Sequence, residues 1–200
     1  SGRMRSPTGY ADLAGLMTRM TGDEKHEPAA TSTLDVLWVL YDRILRVDPQ
    51  HPDDPDRDRF LVSKGHGPMA LYAVLVARGF LDDHLLDRFA GYDSTLGHHP
   101  DRTLVPGVEI SSGSLGHGLG IAVGAALGLK RKRSDRVVYN LMSDGELGEG
   151  STWEAVMSAV QWKLDNLICL VDFNNQQADG SVKVEPRFDL EHVAETGDFV

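Results

Sequence analysis

An apolar run, a helix-spaced segment and a second apolar run follow one another between residues 137 and 172, and few folds accept that order. Val137-Val-Tyr-Asn-Leu-Met142 is short and ends at an acidic turn. Ser151 to Trp162 has helical spacing, and Asn166-Leu-Ile-Cys-Leu-Val-Asp172 is a second run of the kind a buried strand carries. Strand, helix, strand is the repeating unit of a parallel α/β sheet. With the two strands as parallel neighbours, Asp144 and Asn174, 30 positions apart, both emerge at carboxyl ends. Open α/β sheets take their ligands there. A carboxylate and an amide carbonyl are hard oxygen donors, suited to magnesium or calcium and not to zinc. Magnesium at such a point keeps positions open for phosphate oxygens, which makes this a candidate magnesium–diphosphate site. The same residues also fit an Asp-Gly turn capping a helix, with an Asn turn after a strand.

The remaining chain supports a doubly wound, mostly parallel sheet flanked by helices. Gly9 to Met20 and Thr33 to Asp42 have helical spacing, the second with Ser32 or Thr33 as N-cap. A polar, proline-broken loop, 51–59, leads to the strand-like Arg59-Phe-Leu-Val62. Gly67 to Val76 is an apolar helix with proline near its start. A shorter helix is expected over Asp82 to Phe89, and a closely packed, small-residue helix over Gly113 to Leu129. No repeat or internal boundary is visible, so residues 1–200 are expected to form one domain.

Composition removes several functions. With 41% hydrophobic and 25% charged residues the chain has the make-up of an ordinary globular domain, and no apolar run approaches membrane-spanning length. A net charge of −10 disfavours nucleic acid as a partner. The one basic cluster, Lys130 to Arg133, is expected to be a solvated loop. A single cysteine, Cys169, cannot form an internal disulfide and fits a reducing cytoplasm; between Ile168 and Leu170 it is expected to be a buried thiol.

Several further segments carry a family resemblance. They are Ser63-Lys64-Gly65-His66 before Leu71-Tyr72-Ala73, then Gly97-His98-His99-Pro100 running to Pro106-Gly107-Val108-Glu109. Ser112-Gly113-Ser114-Leu115-Gly116-His117-Gly118 and Glu149-Gly150-Ser151-Thr152-Trp153-Glu154 follow in order. With the Asp144/Asn174 pair, these resemble the transketolase branch of the thiamine diphosphate (ThDP) enzymes, from about Thr18 to Gly180. The chain departs at Ser143, where the family usually has glycine, and at Lys25-His26-Glu27-Pro28, where the family has a glycine-rich turn.

The resemblance implies a diphosphate-side domain of the ThDP-binding fold. It implies ThDP with Mg²⁺ (Ca²⁺ as substitute), the metal held by Asp144, Asn174 and the carbonyl of Gln176. Gly113, Ser114, Leu115, Gly145 and Glu146 would lie along the cofactor, with His66 beside it. His66, His99 and His26 would bind substrate hydroxyls and relay protons, with His98 taking the place of His99 should the register slip by one. His117 would pack or hydrogen-bond in the helix beneath. Glu149 and Glu154 would belong to an acidic network linking two cofactors.

The implied reaction transfers a two-carbon ketol unit between a ketose and an aldose, sugar phosphates or related. The family's pyrimidine-side and C-terminal domains do not fit in 200 residues, and a further strand and site histidine are expected beyond Val200. The expectation is therefore a truncated chain or, preferably, one half of a split, cytoplasmic transketolase. Its partner subunit would carry the pyrimidine domain, in an α2β2 assembly. Other outcomes on the same residues are a deoxyxylulose-phosphate-type synthase or a non-catalytic assembly subunit.

Overall fold

The computed structural model describes residues 9–20, 32–173, 176–177 and 180–181. The chain divides into two compact units, residues up to 57 with 65–113, and residues 58–64 with those from 114 onward. It crosses from one to the other three times, so no linker marks the division and composition gives no sign of it.

The first unit is helical among its described residues. A 3-10 turn, Tyr10–Asp12, leads into α1, Leu13–Thr18. Then come α2, Leu34–Val39, and α3, Met69–Ala77. Thr33 stands at the N-cap of α2, although its side chain makes no capping bond. The segment runs on as a π turn, Leu40–Ile44, closed by the Leu45 N–H donating to the Leu40 carbonyl at 2.8 Å. In α3 every residue but Val76 is buried, the pattern of a helix covered on all sides. Both α1 and α2 pack on α3. The expected short helix is a 3-10 turn, Asp83–Arg88. Arg19 ties it down with bonds to Asp87 at 2.7 and 2.8 Å and to Asp83 at 3.2 Å.

The second unit holds the sheet. Strands β1 (Arg59–Val62), β2 (Val138–Ser143) and β3 (Leu167–Asp172) pair in that order, all parallel. Helix α4, Gly118–Arg131, packs across all three, and α5, Gly150–Gln161, packs on α4. This is the α/β architecture with a parallel sheet and flanking helices that the sequence suggests. Asp58 closes the amino end of the sheet by accepting the Val137 N–H at 2.9 Å. A two-stranded antiparallel pair, β4 (Gln176–Gln177) and β5 (Gly180–Ser181), follows.

Three expectations change. The small-residue helix begins at Gly118, because Gly113 and Gly116 adopt φ +143° and +76°, outside helical backbone. The basic cluster is loop only in its second half, where Lys132 and Arg133 are exposed in a turn. Lys130 and Arg131 end α4, where cations suit the helix dipole. Lys130 also pairs with Asp165 at 2.8 Å, and Arg131 lies over the Trp162 ring. Cys169 is exposed, because β3 is an edge of the described sheet and its neighbours Ile168 and Val171 are open too.

Candidate functional site

In the sheet unit the carboxyl end of β2 turns directly into a 3-10 segment, Asp144–Gly148. Ser143 and Glu146 form a capping box around it. The hydroxyl of Ser143 is one half of that box, which gives a structural use to a serine standing where glycine is usual. Asp144 is fully buried, and its Oδ1 accepts the Gly145 N–H at 2.9 Å.

Glu146 is the hub of this end of the sheet. Its side chain is fully buried. Oε2 accepts the Ser143 N–H at 2.9 Å, and Oε1 accepts the Gly116 N–H at 3.0 Å. The Ser63 hydroxyl also donates to Oε1 and itself accepts the Gly118 N–H at 3.2 Å. A carboxylate taking several N–H and O–H bonds forms short, strong, charge-assisted contacts. One side chain therefore fixes the end of β1, the acidic turn and the turn that opens α4. Space is tight around it: a Cβ on Gly118 would fall 2.3 Å from the Ser63 Cβ, and one on Gly116 would fall 2.6 Å from the Glu149 Cβ. Ser151 Oγ donates to the Gly116 carbonyl at 2.8 Å, closing the same turn from α5.

Ser114, Leu115 and His117 form the outer rim of that turn. His117 is exposed at the N-cap of α4 and is not packed beneath the helix. Its Nδ1 lies 3.1 Å from the Ser114 Oγ and 3.0 Å from the Leu115 carbonyl. Glu149 precedes α5, and Glu154 lies on its exposed face.

The helical unit gathers a second set. His66 and His99 meet edge to face with ring centroids 5.0 Å apart. His98 turns away and packs edge-on against Phe89 at 5.5 Å, so the register places His99 and not His98 beside His66. Gly113 lies against His99, where a Cβ would fall 3.0 Å from its Cδ2. Gly65 approaches the same backbone so closely that a Cβ would sit 2.6 Å from the Gly113 nitrogen. Beside them the Ser112 hydroxyl is buried with no hydrogen-bond partner. In Pro106-Gly107-Val108-Glu109, the Glu109 carboxylate pairs with Arg57 at 2.8 Å.

Both implied groups can be tested against these features. The Ser112 hydroxyl is a buried polar atom without a protein partner, and it sits between two glycines whose Cβ positions are blocked, a turn of small residues that fits close approach of a cofactor ring. For the metal, Asp144 supplies a hard oxygen donor, and β4, which carries Gln176, lies near the 3-10 segment that begins with Asp144. Among the described residues no group of three or more His, Cys, Asp or Glu side chains gathers as a metal cluster. The candidate set instead has one carboxylate with neutral oxygens. Asn174 and His26 lie outside the described residues.

Sequence reasoning did not assign roles to Ser63, Lys64, Ser112 or Asp172. The first three stood in quoted motifs, and the chemistry of Ser63 and Lys64 appears only through partners distant in sequence. Among the described residues no helix is long and apolar enough to cross a membrane.

Comparison with known proteins bears on the family and the fold. The family described as transketolase, thiamine diphosphate binding domain, matches residues 20–195. A protein of Rhodococcoides fascians named ferredoxin fas2 is 53% identical over 184 residues, covering 91% of this chain and 60% of that protein. One of the subunits of an apulose-4-phosphate transketolase from Actinobacillus succinogenes is 44% identical over 158 residues, covering 79% of this chain and 57% of that protein. The chain thus spans 60% or less of the length of these relatives. Among solved structures, transketolase from Campylobacter jejuni superposes with a TM-score of 0.77 at 28% identity, over 94% of this chain and 32% of that one.

Proposed function

The chain belongs to the transketolase family through its thiamine diphosphate binding domain, and from that premise we propose that it is the diphosphate-holding half of a two-subunit transketolase. It would transfer a two-carbon ketol unit between a ketose and an aldose, with Mg²⁺ as the metal. The partner subunit would supply the pyrimidine-side domain in an α2β2 assembly. The Actinobacillus succinogenes relative is named as a single subunit of its enzyme and for apulose 4-phosphate, which supports both the split and a sugar-phosphate substrate. The name ferredoxin does not transfer: iron–sulfur clusters need several thiolates, and this chain has one cysteine.

The observation that carries this reading is the Glu146 hub, whose bonds tie together the acidic turn, the end of β1 and the turn that opens α4. Asp144, Asn174 and the Gln176 carbonyl would hold the metal. Gly113, Ser114 and Leu115 would present backbone to the cofactor, with Gly145 at the metal turn. Glu146 serves through the groups it positions.

ThDP, when bound, supplies a nucleophilic carbon and a sink for the electron pair of the cleaved bond. His66 and His99 would hold substrate hydroxyls and move protons to and from them, a task that suits a ring with one donor and one acceptor nitrogen. His26 would join them. Glu149 and Glu154 would carry the acidic network toward the second cofactor of the assembly.

The test is reconstitution. The chain mixed with its pyrimidine-domain partner restores ketol transfer, and calorimetry shows Mg²⁺ and ThDP binding to the pair. No binding with the partner present would make this an assembly subunit instead. Activity with a 2-oxo-acid donor in place of a ketose would make it a synthase.

A further inference from the structure

Lys64 follows β1, and Asp172 closes β3, with β2 between them. The Lys64 N–H donates to the Leu141 carbonyl at 3.2 Å, holding the residue at the carboxyl end of β2. From there its Nζ reaches the Asp172 Oδ2 at 2.5 Å, with the two side chains only 7% and 13% exposed. Asp172 is the register partner of Ser143, the residue directly before Asp144, and it precedes Asn174 by two positions. A complete carboxylate therefore stands beside the candidate metal turn, occupied by a lysine that crosses a strand to reach it.

Stability alone is a poor reason for such a pair. Removing two charges from water costs about as much as their attraction returns, and apolar residues of similar volume often serve as well. The metal turn gives a better reason. A hard divalent cation takes carboxylate oxygens readily, so an unpaired Asp172 would compete to be a second anionic ligand. Two carboxylates would cancel the charge of the cation and leave little to attract a diphosphate.

We infer that Lys64 is a positioning residue that withholds Asp172 from the metal, so that the site keeps a single carboxylate, Asp144, and binds its cation firmly only together with a diphosphate. The inference rests on the magnesium–diphosphate reading of this turn.

Mn²⁺ binding to the full chain, read by the paramagnetic resonance of the free ion, tests it. With Mn²⁺ alone the wild type binds weakly. Lys64→Met, which keeps the stem and removes the charge, binds about tenfold tighter or more. Lys64→Met with Asp172→Asn returns to the wild-type value, and Lys64→Arg stays there. Asp172→Asn alone takes this carboxylate from the lysine and leaves a net positive charge beside the turn, so Mn²⁺ binds more weakly and inorganic pyrophosphate without metal binds more tightly. This last variant decides the matter should Lys64→Met fail to fold. A Lys64→Met protein that melts lower yet binds Mn²⁺ no better overturns the inference, as does a double variant that keeps the gain. Mn²⁺ with pyrophosphate tests the underlying reading separately. Failure of the wild type to tighten there sinks the diphosphate site, while the Mn²⁺-alone series still decides the role of Lys64.

Discussion

In the sheet unit the polar groups that shape the candidate site are out of contact with solvent: Asp144 and Glu146 are both at 0% exposure, with Ser63 and Lys64 buried beside them. In the helical unit His66 and His99 are exposed and meet edge to face at 5.0 Å, with Gly113 against the His99 ring. The contrast teaches a division of labour. Buried, fully bonded groups hold a geometry in advance, so no reorganisation is needed when a charged ligand arrives. Exposed imidazoles hold little geometry but can reach a ligand and exchange protons with it. Substitution of the bonded Glu146 hub should therefore lower stability and substitution of the exposed imidazoles activity, with Asp144, the proposed metal ligand, the one buried group whose loss is read in activity.

Asp144→Ala is the variant with the largest expected effect. On the proposed metal assignment, its loss would remove several kcal/mol of charge stabilisation, about 10³-fold or more in ketol transfer by the reconstituted pair. Unchanged transfer would end the metal assignment. Glu146→Ala comes next and acts on folding. It leaves the Gly116 and Ser143 N–H groups and the Ser63 hydroxyl unpaired in a buried place, at about 3–5 kcal/mol in urea denaturation. Glu146→Gln loses about half of that, because its amide group faces donors. A Glu146→Ala protein as stable as wild type would erase the contrast between the units.

Much of this was legible before the structure. Residues 137–172 announced strand, helix and strand because each run is long, periodic and bounded by turns. The place of Asp144 directly after a parallel strand was legible because an apolar run ends there at an acidic turn. Glu146 was visible as a residue but not as a hub, since its partners Ser63 and Gly116 lie 83 and 30 positions away. The Lys64–Asp172 pair spans 108 positions and was hidden for the same reason. The π turn at Leu40–Ile44 left no trace, because the apolar spacing of Thr33 to Asp42 suits an α-helix equally well. Cys169 shows the other limit. Its run has the composition of a strand covered on both faces, and composition cannot report which edge a strand occupies.

The helical unit sharpens the comparison with opposite readouts. His66→Ala and His99→Ala should change stability by no more than about 0.5 kcal/mol, as exposed positions do, while ketol transfer falls about 10²-fold or more. A melting loss without an activity loss would make these histidines structural. Gly113→Ala is gentler and touches both properties. At φ +143° any side chain is strained, and the new Cβ would press on the His99 ring from 3.0 Å. The expected cost is about 1–2 kcal/mol, with a fall in turnover from the displaced imidazole.

Cys169 offers the smallest effect and a check on how open the sheet edge is. The residue is exposed, yet its sulfur turns toward the Met142 Sδ at 3.3 Å and the Asn140 amide at 3.9 Å. Desolvation around the sulfur pushes the thiol up to about 11, against a smaller downward pull from Asn140. A raised folded-state value means the folded protein keeps its proton longer than the unfolded chain. Any stability from this group is therefore present below about pH 9 and is lost as pH rises toward 11. Labelling with a disulfide reagent at pH 8 should be slow for the native chain, about 100-fold slower than after unfolding, and should accelerate steeply above pH 9. Equal rates in the two states would show that the sulfur sees bulk water, and that the burial of polar groups in this unit ends at β2 and does not reach its edge.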